Sequence, residues 1–154
     1  MKRFLIVLAA SAMLWGACKN TPASSKCGIC PAIAVVAPTI GVRIVDKTSG
    51  ADLFLSPGSP YKFEDLKVSS SVDGQNVYAT VDSTDKANRF VRIIATSTQT
   101  FKLTLGTLAT DSIHVTLKLD SPKCCSIPKI HEVVIDNTLI CSACGYNPLV
   151  TIKK

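Results

Sequence analysis

The residues of this 154-residue chain with the most definite chemistry are its seven cysteines, and their spacing separates one from six. Cys18 stands alone behind an apolar run. Cys27 and Cys30 form a CxxC pair, Cys124 and Cys125 are adjacent, and Cys141 and Cys144 form a second CxxC pair. No cysteine falls between residues 31 and 123, so the six mark the two ends of whatever folds between them. An even number of thiols in a chain that leaves the reducing cytosol points to disulfides. Cys27, Cys30, Cys124, Cys125, Cys141 and Cys144 are all candidates. Adjacent cysteines distort the peptide between them when they bond to each other. Cys124 or Cys125 is therefore expected to reach Cys141 or Cys144, closing a loop whose constraint is worth about 3 kcal/mol.

Two other chemistries compete for the same thiols. Four thiolates in tetrahedral array suit zinc, and the two CxxC pairs, Cys27, Cys30, Cys141 and Cys144, would supply them. Cys141-Ser-Ala-Cys144-Gly145-Tyr146 resembles the metal knuckle of rubredoxin-like and zinc-ribbon proteins, where glycine after the second cysteine lets the chain turn beneath the metal. Cys124 and Cys125 are left over in that scheme. Cys27-Gly-Ile-Cys30-Pro31 resembles a thioredoxin-type redox motif. That mechanism needs the first thiol at a helix N-terminus, and the preceding Pro22-Ala-Ser-Ser is not a buried strand of a βαβ unit.

The remaining chemistry-bearing residues have plainer explanations. Of the two histidines, His114 falls on the outward phase of a strand, and His131 begins the next strand beside Glu132. Asp46, Asp52, Asp82, Asp85 and Asp111 flank strands, where carboxylates cap turns. No GxSxG, HExxH or P-loop pattern occurs. Nothing in the chain supports an enzyme, and zinc is the only cofactor the spacing suggests.

The elements that must position these residues read as strands. Ile40, Val42 and Ile44 alternate with Gly41 and Arg43. Val77, Ala79 and Val81 alternate with Tyr78 and Thr80, and Phe101, Leu103 and Leu105 with Lys102 and Thr104. Ile113, Val115, Leu117 and Leu119 alternate with His114, Thr116 and Lys118. Alternation of period two places one face on a core and the other in water. Phe90–Ala95 is more continuously apolar, as a central strand would be. Turn chemistry stands at Lys47-Thr48-Ser49-Gly50, Ser56-Pro57-Gly58-Ser59-Pro60 and Asp73-Gly74. Asp136-Asn137, between Val133-Val134-Ile135 and Thr138-Leu139-Ile140, predicts a two-residue hairpin. Counting outward from it puts Ile135 opposite Thr138, Glu132 opposite Cys141 and Lys129 opposite Cys144. Tyr61–Lys67 has room for one or two helical turns. Seven to nine short strands predict an all-β domain, a two-sheet antiparallel β-sandwich of which an immunoglobulin-like arrangement is one form.

The chain begins as an exported protein does. Lys2 and Arg3 precede an uncharged, mostly apolar run of twelve residues, Phe4 to Trp15. A run of that length is too short to span a hydrocarbon core, which takes about 20 residues. Gly16, Ala17 and Cys18 follow. This is similar to the lipobox of bacterial lipoproteins, with Trp15 where the family usually carries an aliphatic residue and Leu14 one place earlier. The resemblance covers the first eighteen residues. It implies a signal peptide at 1–17, acylation of Cys18, and anchoring by several acyl chains, each buried methylene adding about 0.8 kcal/mol. Ala10-Ser11-Ala12 offers a rival cut for ordinary secretion.

Residues 18–39 then read as the lipidated cysteine with a polar tether and lead-in segment, and residues 40–154 as the sandwich domain. Loss of residues 1–17 leaves 137 residues with fifteen Lys and Arg against eleven Asp and Glu, a formal charge of +4. Lys19, Arg43, Lys62, Arg92, Lys118 and Lys154 are scattered, without the basic stripe and interleaved aromatics of a nucleic-acid surface. The one tryptophan, Trp15, leaves with the signal, which argues against an aromatic platform for glycans. The sequence thus predicts a lipid-anchored envelope protein whose β-sandwich has a structural or binding role. The alternative is a redox-active or zinc-binding envelope protein using the CxxC pairs. The membrane is the partner expected through the N-terminal lipid, nucleic acid is not, and the sequence does not identify a protein or envelope partner. A mature start of Cys18-Lys19 lacks the aspartate associated with inner-membrane retention, so the outer membrane is the expected site.

Overall fold

The computed structural model describes residues 37–72, 74–85, 88–120 and 127–154. Ala32–Lys154 forms one compact unit. Among the described residues nine strands follow one another: β1 (Thr39–Val45), β2 (Leu66–Ser70), β3 (Ala79–Asp82), β4 (Phe90–Ile94), β5 (Gln99–Leu105), β6 (Asp111–Asp120), β7 (Ile127–Ile135), β8 (Thr138–Gly145) and β9 (Leu149–Lys153). A 3₁₀ turn, Phe63–Asp65, precedes β2, within the stretch that had room for a short helix.

The strands form two sheets, a four-stranded one in the order β3-β4-β1-β9 and a five-stranded one in the order β2-β5-β6-β7-β8. All neighbours are antiparallel except β1 and β9, which run parallel. The expected two-sheet sandwich is present. Its strand order, with the meander β5-β6-β7-β8 in one sheet, differs from the ABED and CFG sheets of a seven-stranded immunoglobulin domain. Side chains from the inner faces of both sheets join in one cluster, with Ile40, Val42, Val91, Ile93, Phe101, Leu103, Ile113, Val115 and Val133 fully buried. Burying a side chain such as Phe101 contributes about 1.5–3 kcal/mol relative to leaving it in water.

Period two holds where a strand is paired regularly. In β5 the pattern is clean, with Phe101, Leu103 and Leu105 buried and Lys102 exposed. In β4, Val91 and Ile93 are buried while Arg92 and Ile94 face out, so this strand is interior to its sheet but covered on one side only. β1 departs the other way. Gly41, expected on a wet face, is buried, and a Cβ there would meet Leu149 Cδ1 and Phe90 Cδ2 at 2.9 Å. In the short edge strand β3, Ala79 packs partly against the core and Val81 is exposed.

β6 corrects the expectation that all four of its alternate apolar residues face the core. Ile113 and Val115 are fully buried, but Leu117 is only half-buried and Leu119 is 69 % exposed. The cause lies in the ladder with β7. Thr116 faces Glu132, yet Leu117 faces Ile130, so His131 is an extra residue in β7. Such a bulge increases local twist and breaks the alternation. It also explains why the buried residues of β7, Ile130, Val133 and Ile135, are spaced three and then two apart.

Candidate functional site

The strands define two ends of the sandwich. The chain enters β1 at the near end, which also holds the end of β6, the start of β7, the end of β8 and the start of β9. The far end holds the β7–β8 turn, the end of β1 and the start of β6. Asp136 and Asn137 make that turn with φ of 45° and 65°, and Ile135 faces Thr138. Positive φ at both central residues is the type I′ geometry that suits the twist of a two-residue hairpin.

Away from the turn the count fails, and this decides where the cysteines go. The β7–β8 ladder shifts twice, so Val133 faces Cys141, Glu132 faces Ser142 and Ile130 faces Gly145, where an unbroken ladder would have put Glu132 opposite Cys141. Three residues of regular strand span about 10 Å, too far for a disulfide, whose Cα atoms lie about 4.4–6.8 Å apart. Ala143 lies in the left-handed region at φ 55° and Gly145 at φ 91°, and the strand bends there. Cys141 and Cys144 come to a Cα separation of 5.7 Å and bond to each other. Pairing is therefore local, in place of the expected bridge from Cys124 or Cys125 to this hairpin. Both half-cystines pack partly against the core, and Cys144 Sγ lies 3.6 Å from the His131 carbonyl oxygen. Gly145, which carried the likeness to a metal knuckle, does turn the chain, but it does so at the exit of a disulfide-closed bend. Cys18, Cys27, Cys30, Cys124 and Cys125 lie outside the described residues.

Beside this bend β6, β7 and β8 line a recess of about 340 Å³ with Lys118, Leu119, Lys129, Ile130, His131, Ala143 and Gly145. Lys118 and Lys129 are direct cross-strand partners. The bulged residue His131 presents Nε2 at 2.8 Å from Lys118 Nζ, so in this pose the ring accepts and the ammonium donates. The Lys129 ammonium stands 5.0 Å from the centre of the Tyr146 ring. Tyr146 is joined in turn to the start of β1, its carbonyl oxygen accepting from the Thr39 N–H at 3.1 Å. The chain therefore enters the domain next to the basic recess.

His114 behaves as expected, exposed on β6 with Nδ1 3.0 Å from Thr100 Oγ1. It shares a second recess with Ser112 and Asp136, a trio whose residue types invite comparison with a hydrolase. There the Asp136 carboxylate accepts from the Ser112 backbone N–H at 2.9 Å, and His114 is engaged with Thr100. These are hairpin-fixing bonds.

The other carboxylates hold the far-end turns. Asp46 accepts from the N–H groups of Thr48 and Ser49 and from the Ser49 hydroxyl, and Asp52 from the N–H groups of Phe54, Leu55 and Ser56. The Ser49 N–H, more than any other partner, keeps the Asp46 carboxyl below its ordinary pKa. The Thr84 N–H does the same for Asp82, which also pairs with Arg92. Asp111 is buried and joined to Lys154 Nζ at 2.6 Å, and burial pushes its pKa upward despite the ammonium.

Among the described residues no group of three or more His, Cys, Asp or Glu is placed to hold a metal ion. No described helix is long and apolar enough to cross a membrane. Comparison of the chain with protein-family models, with curated proteins and with solved structures gave no match.

Proposed function

We propose that this protein is a lipid-anchored component of the bacterial cell envelope whose β-sandwich serves a noncatalytic binding or structural role at the membrane surface. The observation that carries the proposal is Gly16-Ala17-Cys18 at the end of a charged and then apolar leader. In this role Cys18 carries the acyl chains, the residues after it are the tether, and the sandwich works at the end of that tether. The carboxylates that cap the domain's own far-end turns are engaged structurally, which suits a binding or structural role better than acid–base chemistry. Cys18-Lys19 as the mature start favours the outer membrane. Intact mass of the native protein and partition with membranes test the proposal. An acylated Cys18 is the expected result. A mature chain beginning at Met13, or a Cys18→Ala variant that still fractionates with membranes, would overturn it.

The local Cys141–Cys144 bond favours a second reading, in which a CxxC disulfide takes part in thiol exchange. A free-thiol count with metal analysis on the purified protein separates the two. Reversible two-electron reduction of Cys141–Cys144 by a dithiol reductant, with the fold retained, would support redox use. Reduced CxxC thiols around bound zinc would support the metal-binding alternative.

A further inference from the structure

Among the described strands, the edges of the two sheets are guarded in different ways. An edge strand shows unpaired N–H and C=O groups that invite another strand, and proteins blunt it with charge, proline, shortness, bulges or cover. β2 carries Lys67 and is covered by residues 75–77, with the Val77 N–H donating to the Val68 carbonyl at 2.8 Å and the Ser70 N–H to the Gln75 carbonyl at 3.0 Å. β3 is four residues long and carries Asp82, and β9 carries Lys153. β8, at the edge of the five-stranded sheet, has no charged residue and no proline. Its Leu139 and Ile140 are 56 % and 43 % exposed, and Ser142 and Ala143 are exposed as well.

What blunts β8 is its shape. Its first register shift, at Ile140, precedes the disulfide, and its second, between Ser142 and Gly145, overlaps the bonded segment. A straight strand would hold the Cys141 and Cys144 Cα atoms about 10 Å apart, against 5.7 Å in the disulfide. The oxidised strand therefore cannot run straight past Cys141. Once the bond is reduced, nothing covalent holds the bend, and a left-handed alanine at 143 is disfavoured against an extended one. Residues 141–145 are then free to extend as a straight, uncharged edge.

We propose that Cys141–Cys144 is a redox-controlled guard on this edge: the oxidised strand is closed to pairing, and the reduced strand straightens and pairs antiparallel with β8 of a second copy of this chain. A second copy fits because an isologous pair sets the same strand against itself. Any charge within the strand would then be brought near its own copy, at a cost, and β8 has none. The proposal rests on the thiol-exchange reading of this bond. The opening step is reduction by a dithiol. Two electrons and two protons pass to the bond, two thiols form, and the reductant closes to its own disulfide.

The pair Cys141→Ser and Cys144→Ser opens the bend without a reductant, so it tests the edge separately from the chemistry of the bond. The mature chain from residue 18, carrying Cys18→Ser, is compared with and without this pair by sedimentation equilibrium over a concentration series, and circular dichroism checks folding. The oxidised chain should stay at monomer mass. The opened chain should rise toward twice that mass and should separate into monomers in sodium dodecyl sulfate without reductant. Ala143→Lys and Ile140→Lys in the opened chain should each restore the monomer, since lysine blunts an edge. A monomer at every concentration, or a dimer that both lysine variants leave intact, would overturn the proposal. So would a dimer that survives sodium dodecyl sulfate, which would assign association to the other cysteines. Treating the chain that keeps Cys141 and Cys144 with a dithiol, with peptide mapping of those two thiols, gives an answer even if the serine variant fails to fold. Dimerisation that accompanies their reduction is expected. A serine variant that dimerises beside a native bond that no dithiol opens in the folded protein would overturn the redox control, and the thiol-exchange reading with it, while supporting the pairing edge.

Discussion

At the far end of the sandwich, side chains stabilise backbone: Asp46 and Asp52 each satisfy several turn N–H groups, and Asp136 fixes the β7–β8 turn to β6. At the near end, backbone irregularity places side chains. One extra residue in β7 turns His131 toward Lys118, and a left-handed alanine stands between two bonded cysteines. The first end obeys the alternation of a regular strand and closes the core. The second breaks the alternation and in doing so exposes Leu119 and groups the lysines. Regular pairing yields stability, and departures from it give this surface its distinctive chemistry.

The sharpest way to break that comparison is at the far end's buried ion pair. The side chains of Lys154 and Asp111 are 14 % and 7 % exposed. Asp111→Ala leaves the ammonium with no carboxylate in a largely dry site and should cost about 3–5 kcal/mol in urea unfolding. Adding Lys154→Met should recover most of the loss, because replacing a buried pair by apolar groups is often neutral. The pH dependence carries a matching sign. Burial raises the Asp111 pKa above 3.8, so within the window from 3.8 to its folded value the unfolded chain has released a proton that the folded chain keeps. Stability from this residue therefore falls as pH rises through that window. Asp46 and Asp82, held below 3.8, act oppositely: their contribution is present above 3.8 and is lost as pH falls through their folded values. Replacing Asp46 with Asn should flatten the acid limb of the stability curve, and replacing Asp111 should not.

Within β6 the comparison is a matter of two truncations. Ile113→Ala, on the regular half, should cost about 2–5 kcal/mol. Leu117→Ala, beyond the bulge and half-buried, should cost about 1 kcal/mol, and Leu119→Ala should fall within about 0.5 kcal/mol of zero. Equal losses at Ile113 and Leu117 would mean that the core continues unbroken through the bulge.

These strands also mark the limit of what the sequence made legible. Alternation identified the buried faces of β5 and the far half of β6, because each residue there meets one partner, whereas the apolar run of β4 suggested cover on both faces and has it on one. Asp136-Asn137 was legible as a turn because few residues other than glycine, asparagine and aspartate tolerate positive φ. The same logic hid Ala143, since alanine gives no signal of a left-handed backbone. Gly145 alone hinted at a turn there. The bulges at His131 and in β8 were invisible because counting outward from a turn assumes one residue per rung. Lys118 could be assigned to an outer face, but that it faces Lys129 depends on the register between β6 and β7, which the sequence does not show. The burial of Gly41 required knowing that Leu149, more than a hundred residues later, lies parallel beside it.

A smaller effect belongs to the disulfide itself. A bond that closes a loop of four residues removes little freedom from the unfolded chain, and the chain-entropy relation gives about 2 kcal/mol. Reduction, or the pair Cys141→Ala and Cys144→Ala, should lower stability by no more than that, with the sandwich intact by circular dichroism. A loss of about 4 kcal/mol or more would indicate that the bend supports the core and is more than a local fold of β8.

The smallest expected effect separates cause from consequence at that bend. Ala143 sits at φ 55°, where an L residue other than glycine loses about 1–2 kcal/mol. Ala143→Gly removes that cost but makes the unfolded chain more flexible, which takes back about 0.4–1 kcal/mol. In the oxidised protein the net should be a gain of several tenths to about 1 kcal/mol. If the Cys141–Cys144 bond imposes the bend, reduction lets residue 143 return to an extended conformation. Glycine then keeps only its entropic disadvantage, so the same substitution should become destabilising by several tenths of a kcal/mol. The sign of the effect should therefore reverse between oxidised and reduced protein, a coupling that urea unfolding of the two chains in both states measures directly. A gain that persists after reduction would assign the left-handed residue to the β7–β8 ladder, with the disulfide forming across a bend that exists without it.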